Sequence, residues 1–567
     1  MRRMIALGWL LVVALALSTG RASAQKPELQ YRWFYASADL HKEDGLNRVV
    51  ALLPRAAKAG YNGVLFNSFD GHDRTAAYAS NVRRLQEAAS MYGIEIIPAM
   101  LGYNDSSIIN IDPNLAEGLP VRDALFVVKG REATLKPDPA ITVPGGDFEK
   151  AAGDQVVGWE QDSPGVSTFL DTTVAHSGRA SARVENLPAA EYGRARFFQS
   201  VKVQPYRQYR IQVWAKTDGL KGGPYVMVTA PTEKQRNLAE TYVNIGPTQD
   251  WTACDLIVNS LNFDALRLYL GCGGGGEGRL WWDDVTIEEI GIHNALRREG
   301  TPVTVRGDDG TVYQEGRDFE PIIDPRLAAY PTIHDPLPIR LTPDSRIPEG
   351  ARLLVSYYHP LYLNGYVVSC LSEPKVYEIL REELANINNL LHPRTFFMYD
   401  DEVWIGNWDE SCQRRGLTPG QLLADKARRC IAMIREVRPE AEIWDWSDMY
   451  DPMHNATDDV YAVNGSWAGS WEGLSPDIGI INWGNHLEGR NLKWFADRGN
   501  KQILAGYYDG SGYPIEKWLK AGEGIPGIVG AMYTTWVDNY AELETFAQQA
   551  WGGGAAPAPP SFESHSR

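Results

Sequence analysis

The sequence has 567 residues, is 44% hydrophobic and 22% charged, and carries a formal net charge of −17. That length and balance support two or three domains with sizeable cores, and an acidic chain without a basic stripe excludes nucleic acid and anionic membranes as partners. Its 18 Trp and 27 Tyr matter more, because flat aromatic rings are what proteins stack on the apolar faces of sugars.

The chain opens with Met1-Arg2-Arg3, an apolar run from Met4 to Leu17, and then Ala22-Ser23-Ala24. A positive start, a short apolar stretch and a small-x-small site predict a cleavable secretory signal over residues 1–24, and so a secreted or periplasmic protein. The run is too short to prefer spanning a membrane, and no other segment is long enough. Losing Arg2, Arg3 and Arg21 makes the mature chain three charges more acidic. Cysteine is sparse and odd in number, at Cys254, Cys272, Cys370, Cys412 and Cys430. No spacing among them is that of a metal site, and five cannot form a disulfide framework. Cys254 and Cys272 are a candidate bridge between neighbouring strands.

From Tyr31 onward, residues 25–130 read as strand, helix, strand, helix, strand. Arg32 to Ala36, Gly63 to Asn67 and Glu95 to Ala99 are strand-like, and helical patterns run from Asn47 to Ala59 and from Ala76 to Tyr92. This alternation predicts a parallel sheet with crossover helices. Over residues 145–291 the pattern changes to short alternating strands between turn signals, which predicts a β-sandwich insert. Its opening Gly146-Asp147-Phe148-Glu149 and closing Trp281-Trp282-Asp283-Asp284-Val285-Thr286-Ile287 resemble the ends of jelly-roll carbohydrate-binding modules. Such modules often hold a structural calcium near these acids, which makes Glu149 and Asp284 candidate ligands. Residues 292–350 are a β-rich connector.

The α/β rhythm resumes over 351–551. Ser372 can cap a helix starting near Pro374, and His392-Pro393 stops it before the apolar run Thr395-Phe396-Phe397-Met398. Thr418-Pro419-Gly420-Gln421 is a capping-box start for the next helix. Strand-like runs follow at Ala441 to Trp446, Ile478 to Trp483, Gln502 to Tyr508 and Val529 to Trp536. Three strands before the insert and five after it make eight, so the predicted fold is α/β: a (β/α)8 TIM barrel interrupted after its third strand by the sandwich. The tail, 552–567, is Gly/Ala/Pro-rich and predicted to be disordered.

Active sites of such barrels lie at the carboxyl ends of the strands. Those ends carry Asp39 and His41, Asn67 and Asp70, Asp400-Asp401-Glu402, Trp444-Asp445-Trp446, Asn482-Trp483, Tyr507-Tyr508-Asp509 and Trp536-Val537-Asp538. Paired acids among flat rings are what glycosidic bond cleavage requires, one acid protonating the leaving oxygen while a second group stabilises the cationic centre. Trp444, alternating with Trp446, reads as core rather than pocket.

The run Leu371-Ser372-Glu373-Pro374-Lys375-Val376-Tyr377, its helix, and Phe397-Met398-Tyr399-Asp400-Asp401-Glu402-Val403 resemble glycoside hydrolase family 20. Trp408-Asp409-Glu410-Ser411-Cys412, Tyr507-Tyr508-Asp509 and Trp536-Val537-Asp538 are similar to later segments of that family. The resemblance implies substrate-assisted hydrolysis of a terminal β-linked N-acetylhexosamine, with a glycan or oligosaccharide as substrate. It assigns Asp401 to the 2-acetamido group and Glu402 to general acid/base duty. It puts Tyr507 on the acetamido oxygen, Trp446, Trp483 and Trp536 around the sugar, and Asp538 on its hydroxyls. Asp400 would orient the pair, with Asn67 and Asp509 lining the same end. Where the family has two glycines before its pair this chain has Tyr399-Asp400, and its sugar-gripping arginine has no match, a task left to Asp39 or His41. Two other readings fit the same residues. One is a glycosidase for a sugar without an acetamido group, using Asp509 or Asp538 as the second carboxylate; the other is a non-catalytic glycan-binding protein.

Overall fold

The computed structural model describes residues 29–554 apart from 103–105, 191–193, 233–235, 331, 364–366, 485, 486, 488 and 510–512. The expected signal segment, and the expected tail from 555 onward, lie outside the described residues. Eight strands form one parallel sheet. They are β1 (Tyr31–Ala36), β2 (Gly63–Phe66), β3 (Glu95–Pro98), β4 (Thr395–Phe397), β5 (Glu442–Trp446), β6 (Gly479–Asn482), β7 (Gln502–Tyr507) and β8 (Ile528–Thr534). Their order is β4-β5-β6-β7-β8-β1-β2-β3. The two edges meet where Ala99 bridges Phe397 in parallel and the Met100 amide donates to the Phe397 carbonyl at 3.0 Å, leaving a nearly closed barrel. Among the described residues no helix is long and apolar enough to cross a membrane.

Helices α1 (Glu43–Ala59), α2 (Ala76–Met91), α3 (Pro374–Leu391), α4 (Pro419–Val437), α5 (Arg490–Asp497), α6 (Ile515–Ala521) and α7 (Leu543–Trp551) follow or precede these strands. Each buries one stripe: in α4 this is Leu422, Leu423, Ala427, Ile431 and Ile434. The capping box at the start of α4 forms as its sequence predicts, Thr418 accepting from the Gln421 amide. The cap of α3 differs, because Glu373 rather than Ser372 occupies the N-cap and no side chain caps it. Pro374 at the first turn has no amide to satisfy, which lowers the need for a cap.

Side chains alternate along strands, and the inward set fills the barrel with Tyr31, Trp33, Tyr35, Leu65, Ile97, Phe397, Trp444, Trp446, Ile481, Ile503 and Met532. Trp444 is core, as its register with Trp446 implies. It meets Tyr31 and Trp33 edge-on, with ring centroids 5.0 and 5.3 Å away. Two glycines make room for these indoles: a Cβ on Gly63 would lie 2.5 Å from the Trp33 ring, and one on Gly479 would lie 2.2 Å from Trp444. The floor is therefore aromatic and closed.

The insertion is larger than 145–291. Gly118–Lys129, expected within the first barrel part, instead joins a six-stranded antiparallel sheet with Glu132–Leu135, Thr304–Gly307, Val312–Tyr313, Ile339–Arg340 and Arg352–Pro360. Barrel strands stop at Pro98 and resume at Thr395, where the strand pattern predicts them, while the flanking bounds expected at 130 and 351 fall inside the antiparallel sheet. Gly118–Lys129 pairs with Arg352–Pro360 over almost its whole length, so the outgoing and returning chains are zipped together. Between them an eight-stranded antiparallel sheet is built on two long strands, Gln208–Thr229 and Ala265–Glu289. All five cysteines are free thiols; Cys254 pairs with Val213 and Cys272 with Ala195 and Pro224 in the ladders, so the two are not neighbours.

The calcium expectation at Glu149 and Asp284 is not met by their surroundings. Glu149 accepts from the Arg179 and Ala180 amides at 2.7 and 3.1 Å, and Asp284 is bonded to His176 and Ser177 at 2.6 and 2.8 Å. Both amides reach Glu149 Oε1, and among the described residues neither acid gathers with other His, Cys, Asp or Glu side chains into a ligand cluster.

Candidate active site

A cavity of about 770 Å³ opens at the carboxyl ends of the strands. The inward alternation that fills the floor continues to its rim: Tyr35 and Ser37 follow Trp33, Tyr399 and Asp401 follow Phe397, Trp446 follows Trp444, and Trp536 follows Thr534. All of these line it, together with Asn67, Glu402, Trp404, Trp483, Tyr507, Tyr513 and Trp518. Among the described residues the lining is aromatic or acidic, or small and neutral, and includes no lysine or arginine.

Adjacent residues of an extended strand face opposite ways, so Asp401 and Glu402 can share a cavity only if the backbone turns between them. It does: Tyr399 has φ +58° and Glu402 φ +41°. Side chains in this left-handed region are strained, and such strain gathers where function fixes the geometry. The Glu402 amide donates to the Asp448 carboxylate at 3.0 Å, which holds the turn.

Three carboxyls crowd this rim. Burial holds Asp401 well above the usual carboxylate range, and the nearby charges of Asp448, Glu402 and Asp445 add to it. Burial also raises Glu402, opposed by hydrogen bonds from Tyr461 and Trp404. Asp448 is pushed up to about 7 by burial, although it accepts from the Glu402 amide, from Asn455 at 2.9 Å and from the Trp483 indole at 3.2 Å. Asp448 and Tyr461 are absent from the residues expected from the sequence. The signal for Asp448 was its place two residues beyond Trp446, in phase with the inward set; Tyr461, on a remote loop with φ +52°, left none.

Of the expected substrate-binding residues, Trp446, Trp483, Tyr507, Trp536 and Asn67 line the cavity with the Asp401–Glu402 pair. Asn67 donates to the hydroxyls of Tyr35 and Tyr399 at 2.8 and 2.9 Å. Trp536 stands edge-on to Tyr35 at 4.6 Å and to Trp446 at 6.2 Å.

Five expected residues lie elsewhere. Asp400 is fully buried on the outward side of β4, where it binds Lys426 of α4 and Tyr450. Asp509 backs the pocket wall, accepting from the Thr535 hydroxyl at 2.7 Å and the Trp536 amide at 2.5 Å. Asp538 faces outward in an ion pair with Arg48 at 2.7 Å. Asp39 pairs with Lys42 at 2.9 Å, and His41 with Asp70 and Asp73 at 3.4 and 3.1 Å, so neither reaches the cavity.

No family model matches the chain, and no curated protein does. Among solved structures, a CBM4 carbohydrate-binding module is 17% identical, covering 26% of this chain and 99% of its own at a TM-score of 0.20. A family 16 carbohydrate-binding module is 15% identical, covering 23% and 90% at 0.19. A rhamnosidase from a Novosphingobium species is 9% identical over 93% of this chain at 0.32, and the chain spans 58% of its length. At identities and scores this low, function has to be argued from the cavity itself.

Proposed function

We propose that this chain is a glycoside hydrolase whose (β/α)8 barrel cleaves a terminal, uncharged sugar, with the antiparallel insert as a jelly-roll-like accessory domain. The observation that carries this reading is the Asp401–Glu402 pair, turned into one cavity that five tryptophans wall. Indole faces bind the apolar faces of pyranose rings. A lining without Lys or Arg offers nothing to a sulfate, phosphate or carboxylate substituent.

Glu402 is the general acid. Burial raises its pKa and so favours the protonated form that donates to the glycosidic oxygen, after which it takes a proton from the incoming water. Hydrogen bonds from Tyr461 and Trp404 fix its orientation and stabilise its carboxylate once the proton has gone. Asp509 and Asp538, the alternative second carboxylates, do not line the cavity, and Asp448 is engaged by the Glu402 amide, Asn455 and the Trp483 indole. That favours a nucleophile supplied by the substrate, as the resemblance to family 20 implies. The acetamido oxygen attacks the anomeric carbon while Asp401 accepts the acetamido N–H, and Tyr507 steadies that oxygen. Asp448 positions the pair through the Glu402 amide.

The test is turnover of an aryl N-acetyl-β-hexosaminide beside the matching 2-hydroxy glycoside. Glu402→Gln should lower kcat by about 10²–10⁴-fold with the fold intact. Hydrolysis of only the 2-hydroxy glycoside would discard substrate assistance. Unchanged kcat in Glu402→Gln would discard the site.

A further inference from the structure

Away from the cavity, four potential metal ligands meet where the chain leaves the barrel and returns to it. Glu117 follows the last barrel segment, Cys370 precedes α3, and Asp409 and Cys412 begin the short helix Glu410–Gln413 beyond the acid pair. One ligand atom from each lies within 4.8 Å of all the others, and all four residues are buried. The outgoing and returning segments are paired here: the Glu117 amide donates to the Val368 carbonyl at 2.8 Å and the Cys370 amide to the Leu115 carbonyl at 2.8 Å.

We propose that this cluster is a structural site for a divalent, thiophilic cation of the zinc type. Two independent features support it. The first is spacing. Tetrahedral zinc, with bonds of about 2.3 Å to sulfur and about 2.0–2.1 Å to oxygen, sets two sulfurs about 3.8 Å apart and a sulfur and an oxygen about 3.5 Å apart. Cys370 Sγ lies 3.6 Å from Cys412 Sγ, and Cys412 Sγ lies 3.4 Å from Glu117 Oε2. A disulfide needs about 2.05 Å, so a bridge would require the sulfurs to move, whereas a metal would not.

The second feature is charge. Glu117, Asp409 and Glu373 converge here around a single cation, Arg298, which binds Asp409 and Glu373 at 2.6 Å each. Buried carboxylates in excess of their counter-charge are costly, and a dication would offset them. The outer contacts a metal site needs are also in place. Trp408 and Asp409 donate their amides to Glu117 Oε1, Oε2 faces the Cys412 thiol whose proton a metal would replace, and Arg298 orients Asp409. Binding would release the two thiol protons. The metal would staple the stem of the insertion to the segment following Asp401 and Glu402. This inference does not depend on the reading of the cavity.

The full chain, produced with zinc present and purified without chelator, should carry about one zinc per molecule by plasma mass spectrometry. Cys370→Ser and Cys412→Ser should lose it, and Cys254→Ser should keep it. If the serine variants do not fold, the folded wild type is stripped with a chelator and reloaded with Co²⁺. A thiolate-to-cobalt charge-transfer band should appear, and Tm of the stripped form should fall by on the order of 5–10 °C. A metal-free wild type with five titratable thiols would overturn the proposal. So would a non-reducing digest that joins Cys370 to Cys412.

Discussion

Asp400 and Asp401 are neighbours in the chain but occupy opposite electrostatic settings. Asp400 faces outward between β4 and α4, where the equally buried Lys426 meets it and Tyr450 donates to it. Its amide donates to Asp445 at 2.8 Å, so Asp400 is paired with a buried cation, while burial and the Asp400 charge hold Asp445 well above the usual carboxylate range. Asp401 faces inward, and the charges that raise it are those of Asp448, Glu402 and Asp445. One side of the strand spends its acids on holding α4 to the barrel. The other keeps acids that burial and mutual repulsion hold toward their protonated forms, which is what a proton donor requires.

The largest effect that separates the two sides is Lys426→Met. Removing one partner of a buried ion pair costs about 3–5 kcal/mol, visible as a lowered denaturation midpoint. Asp401→Asn relieves like-charge crowding, so it should leave the midpoint unchanged or raise it while kcat falls. If both variants are equally unstable, the division between an outer structural layer and an inner working one fails.

Next is Gly479→Ala, which forces a methyl against Trp444 at the floor and should cost about 1–3 kcal/mol with little change in KM. A large KM change would mean that the floor is part of the site. A pH titration of stability tests the inner acids together. Asp448 at about 7 and Glu117 at about 8 hold protons when folded that the unfolded chain releases near pH 4. The stability they contribute is present below pH 4 and lost as pH rises through 7 and 8. Asp448→Asn should flatten that fall, and zinc at Glu117 would remove its share.

The smallest effect is that of Asp538→Asn. Its pair with Arg48 is largely solvated, so the change should cost less than ~1 kcal/mol and leave KM unaltered. A tenfold rise in KM would restore the sugar-binding role that the resemblance gives this residue.

Alternation and punctuation made much of the barrel legible. The apolar runs, the Thr418–Gln421 capping box and the spacing of strands and helices predict eight strands, and eight form. Trp444 and Trp446 are two apart, so both face inward, one as floor and one as wall. The same logic, carried two residues further, reaches Asp448. Asp509 and Asp538 show where it stops working. A motif such as Tyr-x-Asp fixes spacing along the strand but not which way a loop residue turns after the strand ends.

What the sequence determined is what short-range periodicity encodes: strand count, helix stripes, and an acid pair at the end of the fourth strand. Tertiary structure decided which of the three consecutive acids faces the cavity, because Lys426, on a helix 26 residues further along, and Tyr450 hold Asp400 on the outer side. It also decided how far the insertion extends, since Gly118–Lys129 is a strand whose partner lies more than 200 residues away. The Glu117–Cys370–Asp409–Cys412 cluster is the extreme case. Its ligands come from three distant stretches with no shared spacing, so it exists only once the outgoing and returning chains have zipped together.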